Sequence, residues 1–245
     1  MRFDKSKGSP EPVLALDRMP ERENNDPLVD LRIVAPHLKI VRPQTIPWCR
    51  KRVAEMAGEA ALRLPKGFIL GITDAWRPIE RQRRIYDFMW NCALEAFPGR
   101  DFASLRRTVN RWVAPPYRKA PPGHCTGAAL DVHLLDAEGE VVDVSAPYDR
   151  FGAAPTYAFG LTPEAHEKRM ILVNAMLSAG FSNCRDEWWH YSYGDAGWAV
   201  RVGRPYCIYG LIHLEPEHFV EQEILAEEAM KERTNPFIPR QENRK

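Results

Sequence analysis

The chain has 245 residues, 44% of them apolar, and its 34 Lys and Arg nearly balance its 33 Asp and Glu. Such an apolar share can fill a core, which argues against a mainly disordered chain, and the length suits one large domain or two small ones. The even charge removes the simplest argument for a nucleic-acid binder, because no excess of cations is present to neutralise phosphates; a local basic patch stays open.

Met1 to Pro12 is polar and lacks the apolar stretch of a secretory signal. Pro10, Pro12, Pro20 and Pro27 stand among many charges, so residues 1–27 read as a loose arm. Residues 28–220 are the expected folded unit, and 221–245 a charged tail able to form a polar helix. A helix is predicted from Pro47, carrying Val53, Met56, Ala57, Ala60 and Leu64 at helical spacing and ending at Gly67. Phe68 to Asp74 reads as a short buried strand, followed by the loop Ala75-Trp-Arg-Pro78. Helices are predicted over 79–97 and 102–113, the second capped by Asp101. The stretch 114–123 holds four prolines and is an irregular loop. Residues 128–135 read as a strand with 140–144 as its hairpin partner. Thr162-Pro-Glu164 starts a helix that should stop at Gly180. Aromatic residues 187–193 and the segment 206–213 read as further strands. Strands and helices do not alternate as in a doubly wound sheet, so the class is α+β: a single domain with a small antiparallel sheet flanked by helices.

No run approaches the roughly 20 apolar residues of a membrane helix. Cys49, Cys92, Cys125, Cys184 and Cys207 are odd in number and contain no CxxC pair, which points away from a disulfide framework and towards the cytoplasm.

Two segments carry chemistry, His124-Cys-Thr-Gly-Ala-Ala-Leu-Asp131 and Glu187-Trp-Trp-His190. They offer two imidazoles and a carboxylate, a ligand set that catalytic zinc uses with one position left for water, plus a spare carboxylate. Asp131 lies in an apolar strand, where an unpaired carboxylate would cost several kcal/mol and a neighbouring cation removes that cost. The plainer alternatives are an Asp131 paired with an arginine and an ordinary loop histidine at His124. Glu187 and His190 would point to opposite faces of a regular strand, so the backbone must turn or bulge if both are to reach one site. Cys125 reads as a buried structural thiol and His133, two residues after Asp131, as a packed histidine. Arg81, Arg83 and Arg84 read as a solvated helix face, and Trp188, Trp189 and Trp198 as core.

In these segments the chain resembles the vancomycin-resistance-type D-alanyl-D-alanine dipeptidases and the wider group of zinc D,D-peptidases. That family carries Ser-x-His-x-x-Gly-x-Ala-x-Asp, matched here by His124, Gly127, Ala129 and Asp131. Its later Glu-x-Trp-His is matched by Glu187, Trp189 and His190, and its Asp-x-aromatic-Arg-Pro by Asp74, Trp76, Arg77 and Pro78. The resemblance implies one zinc ion per chain on the sheet, held by His124, Asp131 and His190. It implies Glu187 as general acid and base, Arg77 as stabiliser of the oxyanion, and hydrolysis of a short D-amino-acid peptide, D-alanyl-D-alanine first. Asp149, with Asp143 as alternative, would grip the substrate ammonium, although the Ala146-Pro-Tyr-Asp149 context is equally that of a turn. The family serine before the first histidine is Pro122 here, which puts selectivity for D-alanyl-D-alanine in question. The rival readings are a zinc carboxypeptidase on longer cell-wall peptides and a non-catalytic module stabilised by zinc. The expected partner is a small peptide, with neither nucleic acid nor membrane.

Overall fold

The computed structural model describes residues 3–10, 13–148 and 150–238. In chain order the elements are α1 (Val13–Leu16), β1 (Leu28–Asp30), α2 (Leu31–Val34), β2 (Lys39–Ile40), β3 (Trp48–Arg50) and α3 (Lys51–Leu62). Next come β4 (Ile69–Asp74), α4 (Ile79–Ala96), α5 (Phe102–Asn110), β5 (Ala129–Leu135) and α6 (Pro163–Ser178). The last are β6 (Ser182–Asn183), β7 (His190–Ser192), α7 (Ala196–Arg201) and α8 (Val220–Lys231). The class is α+β. Five strands form one sheet in the order β2-β4-β5-β7-β6, and β1 pairs with β3 in a separate ribbon. Every pair in the large sheet is antiparallel except β2 with β4, so the sheet has one parallel edge that the sequence did not announce.

Strand period explains the layering. Along β5, Leu130, Val132 and Leu134 are fully buried in the main core, which also contains Val53, Met56 and Ala57 of α3 and Leu172 and Met176 of α6. Successive side chains alternate in direction, so Asp131 and His133 face the other way. α6 starts as expected, with Thr162 Oγ1 accepting from the Ala165 amide at 3.2 Å, and Gly180 follows it with φ +97°. α5 is capped by Asp101 but ends at Asn110, three residues early.

Several expectations change. Pro47 does not open a helix: residues 48–50 pair with β1, and α3 begins only at Lys51. The expected hairpin partner at 140–144 makes only a bridge between Leu135 and Val141, and 206–213 forms no strand beyond a bridge from Cys207 to Glu21. Arg81 and Arg84 are no solvated face, since both pair with Glu223 of α8, and Arg81 also donates to the carbonyls of Gln44 and Gln222. Arg83 alone of the three remains exposed. The arm expected to be loose makes defined contacts: the Asp4 amide donates to the Tyr157 carbonyl, the Arg185 amide to the Ser9 carbonyl, and Leu16 and Met19 pack beside Trp198.

Arg50 fastens that arm. The residue is 1% exposed, and its side chain donates to both carboxylate oxygens of Glu23, at 3.0 and 2.9 Å. It also donates to the carbonyls of Asp26, Thr126 and Gly210 at 2.7, 2.8 and 3.2 Å and lies over the Tyr209 ring. Glu23 is itself open to solvent, so the larger cost of removing the guanidinium falls on the Thr126 and Gly210 carbonyls, which it would leave buried without a donor. Arg50→Ala should therefore lower the urea-unfolding free energy by about 2–4 kcal/mol and expose the arm to limited proteolysis. A loss under about 1 kcal/mol would show that the cluster is not a structural tie.

Candidate active site

Three strands place three candidate side chains in a row. Asp131 of β5 is in register with His190 of β7 on one side and Asp74 of β4 on the other. The second pairing depends on a register shift: Ile72 faces Val132, yet Asp74 rather than Thr73 faces Asp131. The extra residue turns Asp74 onto the face that carries Asp131.

His124 arrives from a loop. It sits in a 3₁₀ turn, Gly123–Thr126, closed by Gly127 at φ +70°. A β-carbon on Gly127 would stand 2.6 Å from Leu28 Cδ2 and 3.3 Å from the Arg50 amide nitrogen, so only glycine suits both the conformation and the space. The segment after β4 grips His124 twice: Nδ1 lies 2.8 Å from the Ala75 carbonyl, and the Arg77 amide donates to the His124 carbonyl at 3.2 Å. Trp76, 1% exposed, pins that segment by donating from Nε1 to the Ile212 carbonyl.

Asp131 Oδ1 is 3.3 Å from His124 Nε2 and 3.0 Å from His190 Nδ1, and one ligand atom from each residue lies within 4.8 Å of the others. Burial pushes the Asp131 carboxyl up, but the charge and hydrogen bond of His124, then those of His190, more than offset it and leave it well below the usual carboxylate range. Burial likewise pulls His124 down, and Asp131 outweighs it, so the imidazole is held above the usual range. A carbonyl only accepts, so the hydrogen of a neutral His124 belongs on Nδ1, and Nε2 then turns a lone pair towards Asp131 Oδ1. Two acceptors facing each other require a positive charge between them. A proton meets that need, and so does a divalent metal held by two neutral imidazoles and one carboxylate; the donor set fits zinc.

Arg77 is tied to Asp74 by a short ion pair and donates to Gln82 Oε1, while its buried Nε has no hydrogen-bond partner among the described residues. Burial, opposed by Asp74 and then Asp131, leaves the guanidinium above its ordinary range. Glu187 lies on a turn: its carbonyl accepts from the His190 amide at 3.2 Å and from Asn183 Nδ2 at 3.0 Å. The backbone thus bends between Glu187 and His190, and both line one cleft with Arg77, His124 and Asp131. That cleft has a volume of about 1630 Å³ and continues along α4 and α5 past Tyr86, Trp90 and Arg106.

A family model described as D-ala-D-ala dipeptidase, peptidase M15, matches residues 48–209. The chain belongs to this family. A D-alanyl-D-alanine dipeptidase of Synechocystis sp. (strain ATCC 27184 / PCC 6803 / Kazusa) is 33% identical over 149 residues, 52% of this chain and 60% of that protein. Another, from Escherichia coli (strain K12), is 31% identical over 74 residues, 30% of this chain and 38% of that one. The chain thus spans less than two thirds of either relative. The crystal structure of a variant vancomycin-resistance D,D-pentapeptidase, VanY from a VanB-type cassette with Zn(II), is 18% identical with a TM-score of 0.39, covering 69% of this chain and 85% of that one.

Asp74, Trp76 and Arg77, His124 and Asp131, and Glu187 and His190 therefore come from the three segments of the M15 resemblance and meet at one end of the sheet. Asp149 lies outside the described residues. Asp143 caps a turn, accepting from the amides of Ser145 and Ala146. Burial pushes the Cys125 thiol up to about 12 and, with Arg42 as the second cause, pulls His133 down to about 4 against the Trp188 ring. Trp188 and Trp198 are core, and Trp189 packs against the main core while also lining the cleft. Sequence reasoning matched Asp74 to the family's Asp-x-aromatic-Arg-Pro segment without giving it a role, and it gave none to Gln82. It also missed Asp195, a buried cleft residue that accepts from Ser192 Oγ and the Trp198 amide.

Gly127→Ala should reduce the unfolding free energy by about 1–3 kcal/mol through forced left-handed backbone and overlap with Leu28. Urea denaturation checks this, and an unchanged midpoint would mean that the turn relaxes freely.

Proposed function

We propose that this protein is a zinc-dependent peptidase that hydrolyses D-alanyl-D-alanine to two D-alanines. The observation that carries the reading is the meeting of His124, Asp131 and His190 within ligand distance of one another in the cleft that also holds Glu187 and Arg77. His124, Asp131 and His190 would hold one zinc ion per chain. Bound there, zinc would act as a Lewis acid and lower the pKa of a water to about 7.

The chain's own groups supply the rest. The Ala75 carbonyl fixes the ring of His124 so that Nε2 is the donor atom, the kind of outer support that orients metal-binding histidines. The Glu187 carboxylate takes a proton from the attacking water and returns it to the nitrogen of the leaving amine. The Arg77 guanidinium, held by Asp74 and Gln82, presents fixed positive charge where the carbonyl oxygen becomes an oxyanion. Asp149 would bind the ammonium of the dipeptide. Five buried free thiols support a reducing compartment, the cytoplasm. Among the described residues no helix is long and apolar enough to cross a membrane.

One observation favours a second reading. A cleft of about 1630 Å³ exceeds the roughly 300–1,000 Å³ of an ordinary ligand pocket, which suits a carboxypeptidase acting on longer cell-wall peptides. A dipeptide and its N-acetylated form separate the two: cleavage of the free dipeptide alone supports the dipeptidase, and cleavage of the blocked form alone supports the carboxypeptidase. A structural zinc module needs neither Glu187 nor Arg77, and both stand in the cleft.

Metal analysis should find one zinc per chain in the wild type and a large loss in His124→Ala, Asp131→Ala or His190→Ala; a metal-free wild type would defeat the proposal. Glu187→Ala should retain zinc while kcat for D-alanyl-D-alanine falls by about 10²–10⁴-fold. Arg77→Ala should cost about 10²–10³-fold. A Glu187→Ala protein as active as wild type would remove the proton-transfer role.

A further inference from the structure

Two arginines outside the family-matched residues 48–209 reach the same cleft. Arg42 follows β2. Because Ile40 pairs with Ile72 in parallel and the Val41 amide donates to the Ile72 carbonyl, the chain leaves β2 alongside β4 and brings Arg42 to the end of the sheet where Asp74, Asp131 and His190 stand. Arg233 follows α8, whose position is fixed by the pairing of Arg81 and Arg84 with Glu223.

The nearby carboxylates are already engaged. Asp74 is paired with Arg77, Asp131 faces the two histidines, and Glu223 is held by Arg81 and Arg84. Among the described residues neither the Arg42 nor the Arg233 guanidinium has an ion pair or hydrogen bond of its own. Desolvation, then the positive charges of Arg42 and Arg77, hold Arg233 below the ordinary arginine range, so these cations feel one another. Like charges gathered along one cleft favour an anion between them.

We propose that Arg42 and Arg233 form the subsite that receives the free C-terminal carboxylate of the substrate. The inference rests on the peptidase reading but not on the choice between dipeptidase and carboxypeptidase. When a single C-terminal residue is released, only one α-carbon separates its carboxylate from the scissile nitrogen, so the carboxylate must lie in the cleft of the metal-site residues. Guanidinium groups match a carboxylate in two-pronged geometry. Arg77, committed to Asp74 and Gln82 and assigned to the oxyanion, leaves this task to the other two.

The test measures calorimetric binding of D-alanyl-D-alanine and its C-terminal amide to the zinc-loaded Glu187→Gln protein, in which turnover is suppressed. Arg42→Met and Arg233→Met, singly and together, are added to it; both keep much of the apolar stem and break no ion pair or hydrogen bond among the described residues. The acid should bind about 10- to 100-fold more tightly than the amide, as expected for hydrogen bonds to a charged group. Each single variant should reduce that ratio and the double variant bring it near one, with amide affinity and zinc content unchanged. A double variant that keeps the ratio, or loses affinity for acid and amide alike, overturns the subsite. Parallel assays of proteins with Glu187 intact separate the two claims. If no peptide is cleaved but the ratio depends on both arginines, the subsite stands and the peptidase reading falls. If cleavage occurs with a ratio indifferent to both, the subsite falls and the peptidase reading stands.

Discussion

Two carboxylates, Asp74 and Asp131, stand opposite each other on neighbouring strands in a largely buried place, and the surrounding structure is arranged to make that arrangement tolerable. Like charges so placed repel, and burial adds the loss of hydration. Arg77 takes up one carboxylate and the imidazoles of His124 and His190 the other. Each counter-group is itself held: His124 by the Ala75 carbonyl and the Arg77 amide, His190 by the pairing of β7 with β5, and Arg77 by Gln82, which in turn donates to the Ala114 carbonyl. The site is a chain of mutual supports in which Asp74 is matched by Arg77, while the contact between His124 Nε2 and Asp131 still calls for a proton or a metal ion between the two.

Rigid and irregular parts divide the work. Asp74, Asp131 and His190 belong to strands, where register fixes their spacing. His124, Arg77 and Glu187 come from turns, which can aim side chains in directions that a pleated strand does not allow. The turns are stiffened by deep anchors, Trp76 among them. Arg169 does similar work nearby. It is fully buried and donates to the carbonyls of Val144 and Pro155, tying α6 to both ends of the segment between them.

Local patterns made much of this legible. The spacing of His124, Gly127 and Asp131 anticipated a turn leading into a strand, and parity alone sends Asp131 away from the core side of β5. Thr162-Pro163 and Asp101 marked their helix starts because capping depends on a few adjacent residues. What stayed hidden is set by distant partners. Nothing local tells that Trp48 to Arg50 will pair with β1 and delay α3, or that β2 will join β4 in parallel. The bend between Glu187 and His190 was an open question because aromatic residues suit strands, while hydrogen bonding to Asn183 favours the turn. Arg81 looked like a surface residue because its partner Glu223 is 142 positions away.

The Arg50 cluster joins pieces that lie on both sides of the region shared with other family members. Glu23 and Asp26 precede that region, Gly210 follows it, and all three meet a guanidinium that also holds the carbonyl of Thr126, two residues from His124. A fragment trimmed to the shared region would keep every motif residue yet leave Arg50 with a single carbonyl and no counter-ion. The stretch that keeps Arg50 fully partnered is therefore longer than the stretch by which kinship is recognised.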